Sequence, residues 1–229
     1  MRAHAVHKHR IARPRIIFFP GLGTDERLLQ PQRALPLDLD VPRWLEPLSE
    51  RESLAGYAKR FAQTLDTSTP FYLGGISFGG MIALEVARHV NAQRVFLLSS
   101  CTSRHGIPHG YRLAGDLLLP YLVNAILNPL KALPCYVRSF GPSHLLPGNK
   151  LVQEMVRDCT PELFRWSVAA LLQWDGHNEP IAPVIHIKGD RDIVLPHYLC
   201  QPTHVVRGAG HLMNLTHARQ VNEIIASCL

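Results

Sequence analysis

The chain has 229 residues, of which 46% are hydrophobic and 18% charged, with a formal net charge of +6. This composition excludes a disordered chain and suits one α/β domain with a sizeable core. The basic excess lacks aromatic interleaving or a nucleic-acid motif, no apolar segment follows the basic start, and no apolar run reaches membrane-spanning length. A cytoplasmic protein with no nucleic-acid partner and no integral membrane segment is therefore expected.

Much of the charge is local. Arg2, Lys8, Arg10, Arg13 and Arg15 fall within residues 1–15, together with His4, His7 and His9, and this stretch reads as a flexible basic arm. Ile16–Phe19 is a short, wholly apolar run that suits a strand buried on both faces of a parallel sheet. It stops at Pro20-Gly21-Leu22-Gly23-Thr24-Asp25, a turn that brings bare backbone to the sheet edge, with Thr24 or Asp25 placed to cap a helix near Arg27. A second strand is expected over Leu37–Pro42, and the apolar spacing of Leu54, Tyr57, Ala58, Phe61, Ala62 and Leu65 predicts a helix over Ser53–Leu65.

Phe71–Gly74 reads as a third strand and runs into Gly75-Ile76-Ser77-Phe78-Gly79, followed by a helical stretch over Gly80–His89. A G-x-S-x-G between strand and helix places the serine on a sharp turn, with its hydroxyl raised above the sheet edge and the next amide pointing into the same space. The bland alternative is a glycine-rich turn with a serine that caps the helix. Arg94–Leu98 predicts a fourth strand, after which the β-α rhythm breaks. Residues 102–173 hold no convincing strand but carry apolar helical pieces at Tyr111–Leu119, Tyr121–Leu133, Leu151–Asp158 and Pro161–Gln173, divided by prolines. They read as an insertion, packed simply on the sheet, forming a lid over an apolar pocket to which Leu122, Ile126 and Trp166 would contribute, or touching a membrane surface. The sheet resumes at Val184–Lys188 and His204–Val206, and a closing helix is expected over Thr216–Ser227. Residues 16–101 and 174–229 thus form a doubly wound, mostly parallel core, with residues 102–173 as a helical cap.

A serine hydroxyl needs a base, and the base an orienting carboxylate. Ser77, Asp192 and His211 each follow a predicted strand, and all strands of a parallel sheet end on one side, so the three are expected to converge. His211 follows Gly208-Ala209-Gly210 in an exposed turn, whereas His186 alternates within a strand and reads as a core or supporting residue. His105, His109, His144 and His177 lie in or beside the insertion. Asp192 is preferred to Asp190, which follows Gly189 and suits the turn itself; Asp158 and Asp175 are less regularly placed alternatives. With Ser77 as nucleophile, the amides of Phe78 and Leu22 are the expected oxyanion donors, and Gly21 lies beside the substrate. The five cysteines (Cys101, Cys135, Cys159, Cys200, Cys228) form no C-x-x-C and read as reduced thiols without a disulfide framework or zinc site.

These motifs, Pro20-Gly21-Leu22-Gly23, Gly75-Ile76-Ser77-Phe78-Gly79-Gly80, Gly189-x-x-Asp192 with Pro196, and Gly208-Ala209-Gly210-His211, resemble those of the α/β-hydrolase superfamily. The resemblance is to small bacterial serine carboxylesterases with a helical cap, and it covers nearly the whole chain from Ile16. It implies an ester or thioester hydrolase for an apolar acyl substrate, small or carrier-bound, working through Ser77, His211 and Asp192 with no metal or organic cofactor. Other acyl chemistry on the same triad, or a non-catalytic ligand-binding protein, are the alternatives. Two features depart from the family: Pro20-Gly21 replaces its usual His-Gly, and the two antiparallel strands common at its N-terminus look absent.

Overall fold

A computed structural model describes residues 13–111, 148–176, 179 and 181–229. The basic arm through residue 12, Cys135, His144, His177 and nearly all of the expected helical pieces at Tyr111–Leu119 and Tyr121–Leu133 lie outside the described residues.

Six strands form one parallel sheet: β1 (Arg15–Phe19), β2 (Asp38–Asp40), β3 (Phe71–Ile76), β4 (Val95–Leu98), β5 (Val184–Gly189) and β6 (His204–Val206), in the order β2-β1-β3-β4-β5-β6. Ile16, Ile17, Phe18 and Phe19 are all 0% exposed. Their side chains alternate between two cores, Ile17 and Phe19 on one face of the sheet and Ile16 and Phe18 on the other. A strand covered on both faces has no polar side to show, which is why its sequence is continuously apolar.

On the first face lie α1 (Leu54–Ala62) and α2 (Phe78–Val86). Ser53 caps α1 by accepting from the Gly56 amide, and the apolar stripe predicted for this helix is its buried side. All nine residues of α2 are buried. The other face is covered by a three-ten helix (Glu26–Ala34) and by α6 (Ala218–Ser227), preceded by the short α5 (Met213–Thr216). Asp25 caps the three-ten helix, and Pro31 within it has no N–H for an i→i−4 ladder. The closing helix starts earlier than its sequence pattern suggests and breaks at His217. The extra turn is held by tertiary contacts to the three-ten helix: the Asn214 carbonyl accepts from Gln32 Nε2 at 3.0 Å, and Asn214 Nδ2 donates to the Leu28 carbonyl at 2.8 Å.

Between β4 and β5 lie α3 (Gly148–Asp158), which begins three residues before the expected piece, and α4 (Pro161–Gln173), which coincides with the other. Both sit on elements that lead to the sheet edge. Met155 Sδ accepts from the Asp25 amide, and Arg27 pairs with Asp25 and Asp158. Trp166 is 0% exposed and donates to the Glu52 carbonyl at 2.8 Å. Among the described residues, no helix is long and apolar enough to cross a membrane.

The sheet order places a topological switch between β1 and β3, because the chain leaves β1 toward β2 on one side and returns to β3 on the other. The helices that follow the two strands lie on opposite faces of the sheet. Helix α2 starts there against bare backbone: a Cβ on Gly79 would lie 2.1 Å from the Pro20 carbonyl oxygen and 2.4 Å from that of Phe19. Gly79→Ala is therefore expected to cost about 3 kcal/mol or more of stability, seen as a lower urea midpoint.

Candidate active site

Strand β3 runs two residues further than the sequence pattern indicates, through Gly75 and Ile76, because both continue the parallel ladder with β4. Ser77 therefore leaves the strand and enters α2 within one residue. Its backbone sits at φ 53°, ψ −120°, a conformation that a side-chain-bearing residue adopts only under constraint. Three hydrogen bonds supply the constraint. The Ser77 amide donates to the Leu98 carbonyl at 2.9 Å, and the Ser77 carbonyl accepts from the Gly80 amide at 3.0 Å and from Ser100 Oγ at 2.7 Å. The glycines complete it, since a Cβ on Gly75 would strike the Gly79 carbonyl at 2.1 Å and one on Gly80 would strike Ser100 Oγ at 2.4 Å.

Ser77 occupies the N-cap position of α2, yet its side chain makes no capping hydrogen bond. The hydroxyl is thus not engaged in holding the helix, which separates this turn from an ordinary capped one. Phe78 contributes the first amide of α2, at the positive end of the helix dipole. The turn after β1 lies against the same point: Gly79 touches the Pro20 carbonyl, and a Cβ on Gly21 would lie 3.7 Å from the Ile76 carbonyl oxygen. Leu22, at the tip of this turn, is half-buried.

Asp192 and His211 are in direct contact. His211 Nδ1 lies 3.0 Å from Oδ1 and 2.9 Å from Oδ2 of Asp192, whose side chain is 0% exposed. With Nδ1 facing the carboxylate, the neutral ring carries its proton there and Nε2 is the basic nitrogen. Oδ1 also accepts from the Val194 and Leu195 amides at 2.9 and 3.0 Å. Burial by itself would raise the Asp192 carboxyl, but His211, Lys188 and the Leu195 amide outweigh it and hold the group below its ordinary range. The neighbouring Asp190 is exposed and has a different role, accepting from the Gly208 amide at 2.7 Å to join the two loops.

Two side chains near this pair were not singled out as site residues from the sequence. Lys188 is 0% exposed; its Nζ donates to the Ser100 carbonyl at 2.9 Å and lies 3.8 Å from Asp192 Oδ2. Ser100, just past β4, also donates its hydroxyl to Ser77. The available signal was a lysine in a mostly apolar strand, Val184-Ile185-His186-Ile187-Lys188. His186 is buried, with Nε2–H donating to the same Ser100 carbonyl at 2.9 Å; burial and then Lys188 push it down to about 4.

Among the expected substrate contacts, Gly21 is in the turn after β1, beside the end of β3, while Leu122 and Ile126 lie outside the described residues. Trp166 packs against Tyr57, with ring centroids 4.2 Å apart, and against the edge of Phe78 at 5.9 Å. It occupies the core beneath the turn. Trp44 lies nearer the turn after β1, donating to the Thr24 carbonyl at 2.8 Å with its ring 6.1 Å from that of Phe78. The four described cysteines are free thiols, and the described residues include no group of three or more His, Cys, Asp or Glu side chains placed to hold a metal.

The alpha/beta hydrolase family matches the chain over residues 8–224. The chain belongs to that family. No curated protein sequence matches it. Solved structures resemble this hydrolase-family chain in fold at low identity. An esterase from Thermogutta terrifontis is 14% identical with a TM-score of 0.73, over 94% of this chain and 89% of that one. A hydrolase from Pseudomonas aeruginosa PA01 is 17% identical with a TM-score of 0.75, over 94% and 89%. An N-acyl homoserine lactonase, AidH, complexed with N-butanoyl homoserine, is 15% identical with a TM-score of 0.69, over 93% and 88%.

A depressed carboxyl stabilises the folded state above the ordinary carboxyl pKa, and the contribution is lost as pH falls through the lower folded value. Asp192→Asn is accordingly expected to be less stable than wild type at neutral pH and to lose less stability on acidification from about pH 5 to about pH 2, measured by urea unfolding.

Proposed function

We propose that the protein is a serine hydrolase that cleaves esters or thioesters of apolar acyl groups, with Ser77 as nucleophile, His211 as base and Asp192 as orienting acid. The observation that carries this reading is the combination at one sheet edge of a strained Ser77 with an uncommitted capping role and a buried Asp192–His211 pair. Parallel strands β3, β5 and β6 all deliver their residues to that edge. The esterase and lactonase among the structures of similar fold are consistent with it.

In this mechanism Ser77 Oγ attacks the acyl carbonyl carbon while its proton passes to His211 Nε2. The amides of Phe78 and Leu22 donate to the oxyanion of the tetrahedral intermediate, each worth on the order of 3 kcal/mol in comparable sites. The C–O or C–S bond then breaks, and the leaving alcohol or thiol takes the proton from His211. Water attacks the acyl-serine with His211 again accepting the proton, and the acid departs as Ser77 recovers its hydrogen. Asp192 stays ionised throughout and stabilises the transient imidazolium. The preference for an apolar acyl group rests on Leu22 and Trp44 beside the turn, with Leu122 and Ile126 of the insertion proposed to extend that surface. No metal or organic cofactor enters these steps, and the substrate is a small molecule or a carrier-bound thioester.

Ser77→Ala is expected to remain folded while hydrolysis of short p-nitrophenyl esters falls by on the order of 10³-fold or more. A fluorophosphonate probe is expected to label Ser77 of the wild type and no residue of this variant, located by peptide mass. Undiminished turnover in Ser77→Ala would overturn the assignment. Among the acids, Asp192→Asn is expected to lose most activity and Asp190→Asn to retain it in the same ester assay.

A further inference from the structure

Lys188 is the penultimate residue of β5, just before Gly189, with its side chain wholly buried. An ammonium removed from water is costly unless charge and hydrogen bonds compensate it. Val184, on the same face of β5 as Lys188, packs against the apolar core, so an apolar side chain is acceptable on that face. A single carbonyl, that of Ser100 at 2.9 Å, is a small return for burying a full charge, so the carboxylate 3.8 Å away is the partner that matters. Ser100 in turn donates its hydroxyl to the Ser77 carbonyl at 2.7 Å. The result is one connected path from the strained turn, through Ser100 and Lys188, to Asp192 and His211.

We propose that Lys188 is a positioning residue of the active site, holding Asp192 ionised and aimed at His211 and tying it through Ser100 to the turn that carries Ser77. The proposal rests on the triad reading given above.

The groups that face Lys188 come from four segments. Asp192 faces it from the loop after β5, and His186 from β5 itself, on the same Ser100 carbonyl. Cys101 stands after β4, and Cys200 follows the short helix His197–Leu199; both sense the ammonium. His211 is joined to it through Asp192. His186 is neutral above about pH 4, and burial pushes the Cys101 thiol up to about 12, so neither supplies an anion near neutrality. Burial likewise pushes Cys200 up. Asp192 is the anion that remains. A cation at this place opposes proton uptake by the Asp192–His211 pair, since it favours the carboxylate and disfavours an imidazolium. Removing it therefore makes the pair easier to protonate and moves loss of activity to higher pH.

The test is the rate of fluorophosphonate labelling at Ser77 as a function of pH for wild type, Ser77→Ala, Lys188→Met and Lys188→Gln, with folding checked by circular dichroism. Lys188→Met removes the charge at similar volume; Lys188→Gln removes it but keeps a donor for the Ser100 carbonyl. Both are expected to move the acid limb of the profile up by about one pH unit, so that labelling on that limb falls about tenfold. Profiles that superimpose on wild type would overturn the proposal, as would a pH-independent loss in Lys188→Met that Lys188→Gln restores, because that pattern is packing alone. If Lys188→Met does not fold, Lys188→Gln carries the test. A folded wild type that is not labelled at Ser77 would overturn the triad reading and this assignment together. A labelled wild type with unshifted variants overturns the Lys188 assignment alone.

Discussion

Strand β3 passes into helix α2 through a turn so tight that backbone meets backbone, and the geometry of the whole sheet edge follows from that contact. Gly75 lies where a side chain would occupy the Gly79 peptide, and Gly79 where one would occupy the end of β1. With those three segments in contact, Ser77 has no room for an ordinary extended or helical conformation and is held at φ 53°. The strain is of the order of 1–3 kcal/mol, small against the burial of the surrounding strands but large enough to require the surrounding hydrogen bonds. It also brings the first amide of α2 and the turn after β1 to one place, so the proposed nucleophile and the proposed oxyanion donors answer to the same packing constraint.

The second half of the site is governed by the cost of buried charge. Asp192 and Lys188 are both inaccessible to water, and each would be expensive alone. Their arrangement offsets that cost: two amides, an imidazole and an ammonium surround the carboxylate. The loops that carry Asp192 and His211 are themselves locked together, by Arg191 N–H to the Ala209 carbonyl at 2.9 Å and by a contact at Gly189 that leaves no space for a Cβ. Such a pair has little freedom to reorient, which is what a base with a defined proton position requires.

The described helices between β4 and β5, α3 and α4, are joined to this frame. Their ion pairs, Arg27 with Asp158 and Arg165 with Glu50, are partly exposed and contribute little each. The indole groups are stronger anchors. Trp166 of α4 is buried between Tyr57 and Phe78, and Trp174, the residue that caps the end of α4, donates to buried Glu85 at 2.6 Å. Phe164 and Val156 close over Gly23, where a Cβ would lie 3.0 Å from the Phe164 ring. Helices α3 and α4 therefore rest on the turn that holds Leu22, and the composition of the insertion bears directly on the environment of the proposed oxyanion site.

Much of this was legible in the chain itself. The apolar run Ile16–Phe19, the stripe of α1 and the strand-turn-helix around Ser77 are local patterns whose period or glycine content follows from backbone sterics, and each element lies close to where that pattern places it. The alternation of strands and helices was enough to predict a parallel sheet with Ser77, Asp192 and His211 each after one of its strands, because parallel strands share one carboxyl edge. Sequence alone did not decide what depends on distance across the sheet. That Ser77 leaves its capping role unfilled, that Asp190 holds Gly208 while Asp192 meets His211, and that Trp166 packs in the core are matters of which side chains meet. Lys188 is the clearest case. In the sequence it is a charge at the end of a strand, where solvent exposure is the ordinary outcome, and only the packing of β4 against β5 encloses it between Ser100 and Asp192.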